Sequence, residues 1–504
     1  MRKTFYINSI SGAAQFIIAT VFIFFILPVF INKLGIELYG VFSLILLIGN
    51  LNTFINLGLN AVLIKYLAEQ GKCVESDHDI LVAYLILLVF LIPLTLLCLY
   101  FNEFILITIL KIPLKYFNSD TVILYKLVLI ANVPIFIGQI STAILDAQQK
   151  IYITNILQTV YNFLYWGLLL LSITLFNDLK MIGWGFLFAS MIWFMSVTVI
   201  SLKSWGRLKF AGFSKALKPH VKKQLSYSLK LYLTGVINFF YEPFSKILLS
   251  HFVGVGAVGI LDISLRVKNQ VWNLILRFLY PIFPFLAQLT DIDKIKAFIN
   301  DVEQKIAFLL IPILCTVIFC TKPFIELWLK RDVEFISTSI IFITSAYLGT
   351  LLVVPIYQYL QAKGHPGKTV VTQISNVLVN GIVFLSFYKL LGYYAIILSN
   401  SVAILVSVVI CLYFQHILLN SLIFNNISQL IKYLTIMVSM LIAGIFVNNL
   451  ITGTLIKLLF FPVFFTLLSV LLFRLFKIFN KNDVNKYIGD NYLQKLISRI
   501  LIIN

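Results

Sequence analysis

The stretch LGIELYGVFSL, residues 34–44, recurs later in the chain as VGVGAVGILDI, residues 253–263. The two copies share their glycines at a constant offset of 219 residues, in the matched pairs Gly35/Gly254 and Gly40/Gly259. The same offset continues without a gap as far as Leu67-Ala68, which align with Leu286-Ala287. A repeat of this length predicts that the chain is built from two related halves.

The composition places both halves in a membrane. The chain has 504 residues, of which 60% are hydrophobic and only 12% are charged, and its mean hydropathy is +0.98. A soluble domain carries about 25% charged residues. Apolar runs of about 20 residues, the length that crosses a bilayer as a helix, recur along the whole sequence. We therefore predict an all-α polytopic membrane protein.

Hydropathy predicts about fourteen transmembrane helices. Their approximate limits are 8–31, 39–62, 80–101, 123–145, 153–175, 182–202, 225–250, 259–287, 304–321, 337–361, 369–389, 393–413, 432–449 and 455–477.

The formal net charge of +19 is explained better by membrane topology than by nucleic-acid binding. Lys and Arg are scattered over short loops and form no cluster with stacking aromatics, so we expect no nucleic-acid partner. They concentrate on the side that we assign to the cytoplasm, with seven in the loop 203–223. Both termini are then cytoplasmic, and the first apolar run is too long for a signal peptide, so it is a retained helix.

The repeat and the spans together predict the domain organisation. A repeat period of six spans, an even number, gives two parallel six-helix lobes around a central cavity. The predicted N-lobe is 1–224, with spans 1–6 and the basic cytoplasmic linker. The predicted C-lobe is 225–431, with spans 7–12. Residues 432–504 add spans 13–14 and a cytoplasmic amphipathic tail.

Span 8 contains the most highly charged membrane stretch, DISLRVKNQVWNLILRFLYP, residues 262–281. It aligns with span 2 in the repeat, so we assign it to the membrane. Five polar residues recur at helical spacing and share one face: Asp262, Arg266, Asn269, Asn273 and Arg277. Lys268 falls nearly opposite Arg266 and is expected to extend outward toward the membrane surface.

Two arginines at bilayer depth are costly, at about 2.5–3.5 kcal/mol each on insertion scales. Arg266 and Arg277 are therefore expected to face the central cavity and to bind an anion there, because a guanidinium matches phosphate oxygens in a bidentate way. The alternative is that Asp262 neutralises Arg266 one turn away.

Further polar residues extend the predicted cavity wall. Span 7 contributes Lys230, Asn238 and Lys246, with Glu242 placed to pair with Lys246 at i,i+4. Span 2 contributes Asn56, and span 5 has Gln158 and Tyr161 at helical spacing. The alternative for these amide stripes is that they hold helices together through interhelical hydrogen bonds. The five cysteines and five histidines show no metal-ligand spacing, so no metal or cofactor is expected.

The stretch LGIELYGVFSLILLIGNLNTFINLGLNAVLIKYLAE (34–69), with the twelve-plus-two spans and the second copy from Gly254, resembles a known family. It is similar to the polysaccharide-transporter branch of the multidrug/oligosaccharidyl-lipid/polysaccharide flippase superfamily, which includes O-antigen flippases of the Wzx type. The positions that carry the likeness are Gly35, Tyr39, Gly40, Gly58, Ala68 and Glu69.

The resemblance implies a transporter, not an enzyme, in the bacterial cytoplasmic (inner) membrane. It would move an undecaprenyl-diphosphate-linked oligosaccharide between leaflets by alternating access, for O-antigen or another surface polysaccharide. Its expected partners are the lipid-linked oligosaccharide, membrane lipid, a polysaccharide polymerase and a chain-length regulator. A coupling ion, proton or sodium, is also expected, with Asp262, Glu242 and Asp146 as candidate sites.

Three other functions remain open at this point. A drug/cation antiporter of the same superfamily would require acidic residues deep in the cavity, whereas the stripe on span 8 is cationic. A peptidoglycan-precursor flippase would share the whole architecture. A membrane O-antigen polymerase or glycosyltransferase would need a sizeable outer loop, and the largest one here, about 102–122, is short and apolar.

Overall fold

A computed structural model describes residues 2–47, 58–176, 178–210, 212–239, 242–279, 282, 286, 289, 291–330, 332–363, 365–419, 427–476 and 478. These residues form α-helices joined by short turns and by brief 3-10 and π-helical segments, and they contain no β-strand. The all-α prediction is confirmed. The chain divides into two compact units, residues 1–262 and 263–504.

The first unit contains nine complete helices and the beginning of a tenth among its described residues. They are α1 (Arg2–Leu34), α2 (Ile36–Leu47), α3 (Leu59–Gln70), α4 (Val74–Tyr100), α5 (Ser119–Ala147), α6 (Ile151–Leu171), α7 (Leu179–Trp205), α8 (Phe213–Phe239), α9 (Glu242–Phe252) and α10 (Val255–Leu279).

Local sequence explains where several of these helices begin. The side chain of Asn118 accepts a hydrogen bond from the backbone N–H of Thr121 and caps α5, and Asp178 caps α7 in the same way through Lys180. Such caps satisfy backbone donors that a helix leaves unpaired in its first turn. A hydrophobic core joins α3, α4 and α5 and includes Leu63, Val82 and Ile140.

The second unit continues α10 and adds seven further helices in the described residues. They are α11 (Ile292–Trp328), α12 (Val333–Gly349), α13 (Val354–Ala362), α14 (Pro366–Leu391), α15 (Tyr394–Leu419), α16 (Ile427–Leu450) and α17 (Thr454–Leu475). Helices α16 and α17, the predicted spans 13 and 14, pack on α11 through a cluster that includes Cys315, Met440 and Phe465. The predicted tail beyond them lies outside the described residues.

Eleven of the described helical segments are long and apolar enough to span a membrane. Large apolar side chains are exposed on many of them, with Leu390 and Leu450 each 81% exposed. Exposed surface of this kind requires an apolar surrounding, and the protein is a multi-pass membrane protein. The other three predicted spans are 39–62, 225–250 and 259–287. They coincide with α2–α3, α8–α9 and α10. Residues outside the described ranges interrupt α2–α3 and α8–α9, and α10 carries more charge in its apolar part than the eleven spans do.

Candidate functional site

Helices α2 and α10, the two copies of the sequence repeat, cross each other in the first unit. Each begins after a glycine in a left-handed conformation, Gly35 at φ 77° and Gly254 at φ 125°, which the lack of a Cβ permits. We call the contact between residues 36–43 and residues 255–262 the repeat crossing.

The repeat crossing brings two backbones into close approach. A Cβ atom on Gly40 would lie 1.9 Å from the carbonyl oxygen of Val255, and one on Gly259 would lie 2.5 Å from that of Ile36. Ile36 and Val255 are equivalent positions in the repeat, as are Gly40 and Gly259. Gly40 of the first copy therefore meets Val255 of the second, and Gly259 of the second meets Ile36 of the first. This reciprocity is the signature of a two-fold contact, here within one chain.

A buried ion pair lies beside this crossing. The Lys246 ammonium on α9 forms a salt bridge with the Asp262 carboxylate on α10, and these residues are only 8% and 4% exposed. The hydroxyl of Tyr39 on α2 donates a hydrogen bond to the same carboxylate. The Lys246 Nζ also lies 3.1 Å from the Ser43 hydroxyl oxygen. Such partners offset the large cost of burying charge.

The contacts of Lys246 also follow the repeat, because Ser43 and Asp262 occupy equivalent positions 219 residues apart. One lysine therefore binds the same position in both copies. Sequence spacing placed Glu242 to pair with Lys246, and it left open the alternative that Asp262 neutralises Arg266. The structure adds a contact that neither expectation contained, since Lys246 and Asp262 lie on different helices.

The loop before α5 packs close to the start of α2. The Lys115 ammonium lies 2.6 Å from the Glu37 carboxylate, which also accepts a hydrogen bond from the Tyr116 hydroxyl. The bond to Glu37 raises the pKa of Lys115 above its ordinary value. The His251 ring, at the end of α9, is 2.7 Å from the backbone oxygen of Ile109 in the same loop.

Helix α10 is continuous from Val255 to Leu279, so the five positions of the predicted polar stripe lie on one uninterrupted helix. Arg266 and Asn269 are half-buried, and Asn273 is exposed. Arg277 lies further along α10, while Lys230 and Asn238 lie on α8; for these three, the described part is the backbone. Asn56 lies outside the described residues.

Lys268 corrects one expectation. It does not extend outward, because it is only 2% exposed and its ammonium lies 3.8 Å from the centroid of the Tyr347 ring. A cation over an aromatic face is stabilised without leaving the interior. The ring on α12 was too distant in sequence to suggest this contact.

Two acidic residues that no sequence pattern marked as functional anchor the basic linker. Asp77 and Asp79 lie at the start of α4 and are fully buried. Asp77 accepts a 2.8 Å hydrogen bond from the Trp205 indole N–H. Asp79 lies 2.6 Å from the His220 ring and 2.9 Å from the Lys223 ammonium. The sequence signal that could have indicated them is the pair of acids in SDHD, residues 76–79, directly before an apolar run.

Asp146 lies in a different environment from Asp262. It lines a cavity of about 280 Å³ between helices α5, α6 and α7. Its Oδ1 accepts a 2.6 Å hydrogen bond from the Thr154 hydroxyl. Amides and aromatic rings form much of the remaining wall, including Gln158 and Tyr161 of predicted span 5 and Trp193 of α7. We call this space the polar cavity.

The fold is that of a polytopic membrane transporter. The structure is similar to one of the lipid II flippase MurJ in an inward closed conformation, with a TM-score of 0.70 and 18% identity, over 96% of this chain and 99% of that one. It is also similar to an inward-facing multidrug resistance MATE family transporter of the MOP superfamily, with a TM-score of 0.55 and 14% identity, over 82% of this chain and 96% of that one.

The chain belongs to the polysaccharide biosynthesis protein family, which it matches over residues 2–290. An outward-facing structure of a MATE family transporter aligns at a TM-score of 0.51 and 14% identity, covering 83% of this chain and 93% of that one. No curated protein matches the sequence.

Proposed function

We propose that the protein is a flippase for an undecaprenyl-diphosphate-linked oligosaccharide, the repeat unit of O-antigen or of a similar surface polysaccharide. It works in the bacterial cytoplasmic membrane, moves its cargo between leaflets by alternating access, and has both termini in the cytoplasm. Its role is transport, with no catalytic step.

One observation carries the proposal. A chain of the polysaccharide biosynthesis family has a fold that aligns with a lipid II flippase over 96% of its length. Family membership supports a role in making polysaccharide, and the fold supports a role in moving a lipid-linked molecule. A flippase for lipid-linked sugars satisfies both requirements.

The charge on α10 supports an anionic headgroup as the part that is recognised. Arg266 is half-buried on this helix, and Arg277 follows three turns later on the same face. Guanidinium groups bind phosphate oxygens through charge-assisted, bidentate hydrogen bonds. In the proposal these residues hold the diphosphate, with Asn269, Asn273, Lys230, Asn238 and Asn56 as the other predicted cavity residues. Lys246, which was also predicted to line the cavity, is instead bound by Asp262 at the repeat crossing.

The repeat crossing supports alternating access. With the predicted lobes 1–224 and 225–431, α2 belongs to one lobe and α9 and α10 to the other. The Gly40–Val255 approach and the Lys246–Asp262 pair then close the two lobes together at this place. In the proposal, the contact separates when the protein opens on that side.

Translocation is expected to be coupled to a proton or sodium gradient. Asp262 already holds Lys246 and accepts from Tyr39, so its carboxylate serves the repeat crossing. Glu242 and Asp146 remain the candidate coupling residues. The expected partners of the cycle are membrane lipid, a polysaccharide polymerase and a chain-length regulator.

The test is complementation in cells that lack their own flippase, scored for surface polysaccharide. Arg266→Ala and Arg277→Ala should each lower the surface signal about 10- to 100-fold at unchanged protein level, the value of one hydrogen bond to a charged group. Arg474→Ala, an exposed arginine at the end of α17, is the matched control and should retain full activity.

Wild-type levels in both α10 variants would remove these arginines from the site. If wild-type protein restores no polysaccharide, the flippase proposal itself fails. A polymerase would behave differently, because single repeat units would still reach the surface without it.

A second candidate is a flippase for the peptidoglycan precursor, because the solved structure with a TM-score of 0.70 is a lipid II flippase. That cargo also combines a lipid-linked diphosphate with sugars. Rescue of growth in cells depleted of their lipid II flippase would favour this candidate, and restored surface polysaccharide without rescue of growth would exclude it.

A further inference from the structure

The polar cavity holds an unmatched hydrogen-bond donor. Trp193 is 6% exposed, lines the cavity, and its indole Nε1–H has no acceptor among the residues that the structure describes. Buried indole N–H groups usually find a partner, because leaving one unpaired costs free energy. A ligand that supplies an acceptor would complete the site.

The position of the Trp193 ring is set by the helix opposite. A Cβ on Gly138 of α5 would lie 2.5 Å from Cζ3 of this ring and 3.2 Å from Cε3. The benzene edge of the indole therefore packs against the glycine backbone, and the edge with the N–H lies away from it. Any side chain at position 138 would displace the ring.

The rest of the wall supplies both hydrogen-bond donors and hydrogen-bond acceptors. The Asp146 carboxylate accepts, while the side-chain amides of Gln139 and Gln158 can donate and accept. Asn155 donates to the Ser11 hydroxyl of α1 at 2.9 Å, which leaves its carbonyl oxygen as an acceptor. The cavity can thus bind a molecule whose groups both donate and accept.

Aromatic rings complete the wall. The Tyr161 ring lies 5.8 Å from the Trp193 ring, centroid to centroid, at an interplanar angle of 55°. The negative faces of such rings attract the weakly positive C–H groups of a ligand. A sugar ring has this combination, with hydroxyls that donate and accept around its rim and C–H groups on its faces.

The size and chemistry distinguish a sugar from a cation. The volume of about 280 Å³ is just below the range of ligand pockets, which run from about 300 to 1,000 Å³, and this suits a small ligand. Hard cations are held by oxygen atoms a short distance away, and a bare cation offers no acceptor to an indole N–H. The amide donors and Trp193 would serve no purpose in a cation site.

From this cavity we infer that the first unit contains a binding subsite for one sugar ring of the cargo glycan, with Asp146 and Trp193 as its polar anchors. The inference rests on the proposed function for the identity of the cargo. It assigns Asp146 to sugar recognition, which leaves Glu242 as the coupling candidate of the proposed function. The residues that recognise the sugar are then separate from the α10 arginines that recognise the diphosphate.

The test measures binding without translocation. Saturation-transfer NMR on the purified full-length protein in detergent would use glucose, galactose, rhamnose, N-acetylglucosamine and N-acetylgalactosamine as probes. At least one sugar should bind. Trp193→Phe, which keeps a ring and removes the N–H, should weaken it about tenfold, and Asp146→Asn by at least as much. Trp184→Phe, on the same helix but 55% exposed, should leave binding unchanged.

Three results would overturn the subsite: no probe binds, Trp193→Phe binds as tightly as wild type, or a calorimetric titration shows that sodium alone binds and that Asp146→Asn abolishes this binding. The third result would identify a cation site. Failure here is distinguishable from failure of the flippase proposal, because complementation by the wild-type protein decides the latter independently.

Discussion

The repeat crossing and the polar cavity are two polar regions of the same unit, and they differ in what their charges face. At the repeat crossing, the Asp262 carboxylate is bound by Lys246 and Tyr39, and the backbones approach too closely for a Cβ. At the cavity, the Asp146 carboxylate lines an open space and is bound by the Thr154 hydroxyl, and the indole N–H of Trp193 lacks an acceptor in the part of the chain that the structure describes. Buried charge therefore marks a structural contact in one place and a candidate binding site in the other.

The largest expected effect comes from breaking the ion pair. Lys246→Ala or Asp262→Ala should each lower the free energy of unfolding by about 3–5 kcal/mol, because either change leaves the other charge buried and uncompensated. The double variant Lys246→Met/Asp262→Leu should recover most of the loss. Retention of folded, monodisperse protein after heating in detergent measures both. A double variant as unstable as the single ones would contradict the pairing.

A matched pair of tryptophans on α7 sharpens the comparison. The Trp205 N–H donates to the buried Asp77 carboxylate, so Trp205→Phe should cost about 1.5–3 kcal/mol of stability. Trp193→Phe removes a donor without an acceptor and should change stability by less than about 0.5 kcal/mol. Thermal unfolding of the two variants beside wild type measures the difference. Equal losses would show that Trp193 has an acceptor within the protein.

Glycine replacement should give opposite signs at two helical positions. Gly40→Ala places a Cβ against the Val255 backbone and should cost about 1–3 kcal/mol through overpacking. Gly167→Ala on α6 meets no atom of the described residues within 4 Å and should stabilise the protein by about 0.5–1 kcal/mol, because alanine favours a helix. The shift in unfolding temperature of each variant checks the sign. A neutral Gly40→Ala would mean that α2 and α10 do not touch.

The helices themselves could be predicted from local sequence. Bilayer thickness sets a length and an apolar composition that each span must meet by itself, so runs such as 123–145 and 182–202 matched α5 and α7 closely. The repeat could be predicted for a similar reason, since Gly35 and Gly254 meet the same backbone demand at the start of equivalent helices.

The partners of the polar residues could not be predicted in this way. The carboxylate of Asp79 meets His220 more than 140 residues away, and Lys268 lies over Tyr347 on another helix. A helical period shows which residues share a face of a helix. It does not show which other helix packs against that face. The arginines of α10 remain a prediction for the same reason.

The sequence by itself determined the membrane location, the helical class and the two related copies. These follow from the free energy of single segments in lipid and from a period that is read along one chain. Only the tertiary structure decided that Lys246 forms a salt bridge with Asp262, that Gly40 and Gly259 lie at a close helix contact, and that Asp146 and Trp193 share a cavity. Each of these depends on how helices pack, which is settled by contacts between distant residues.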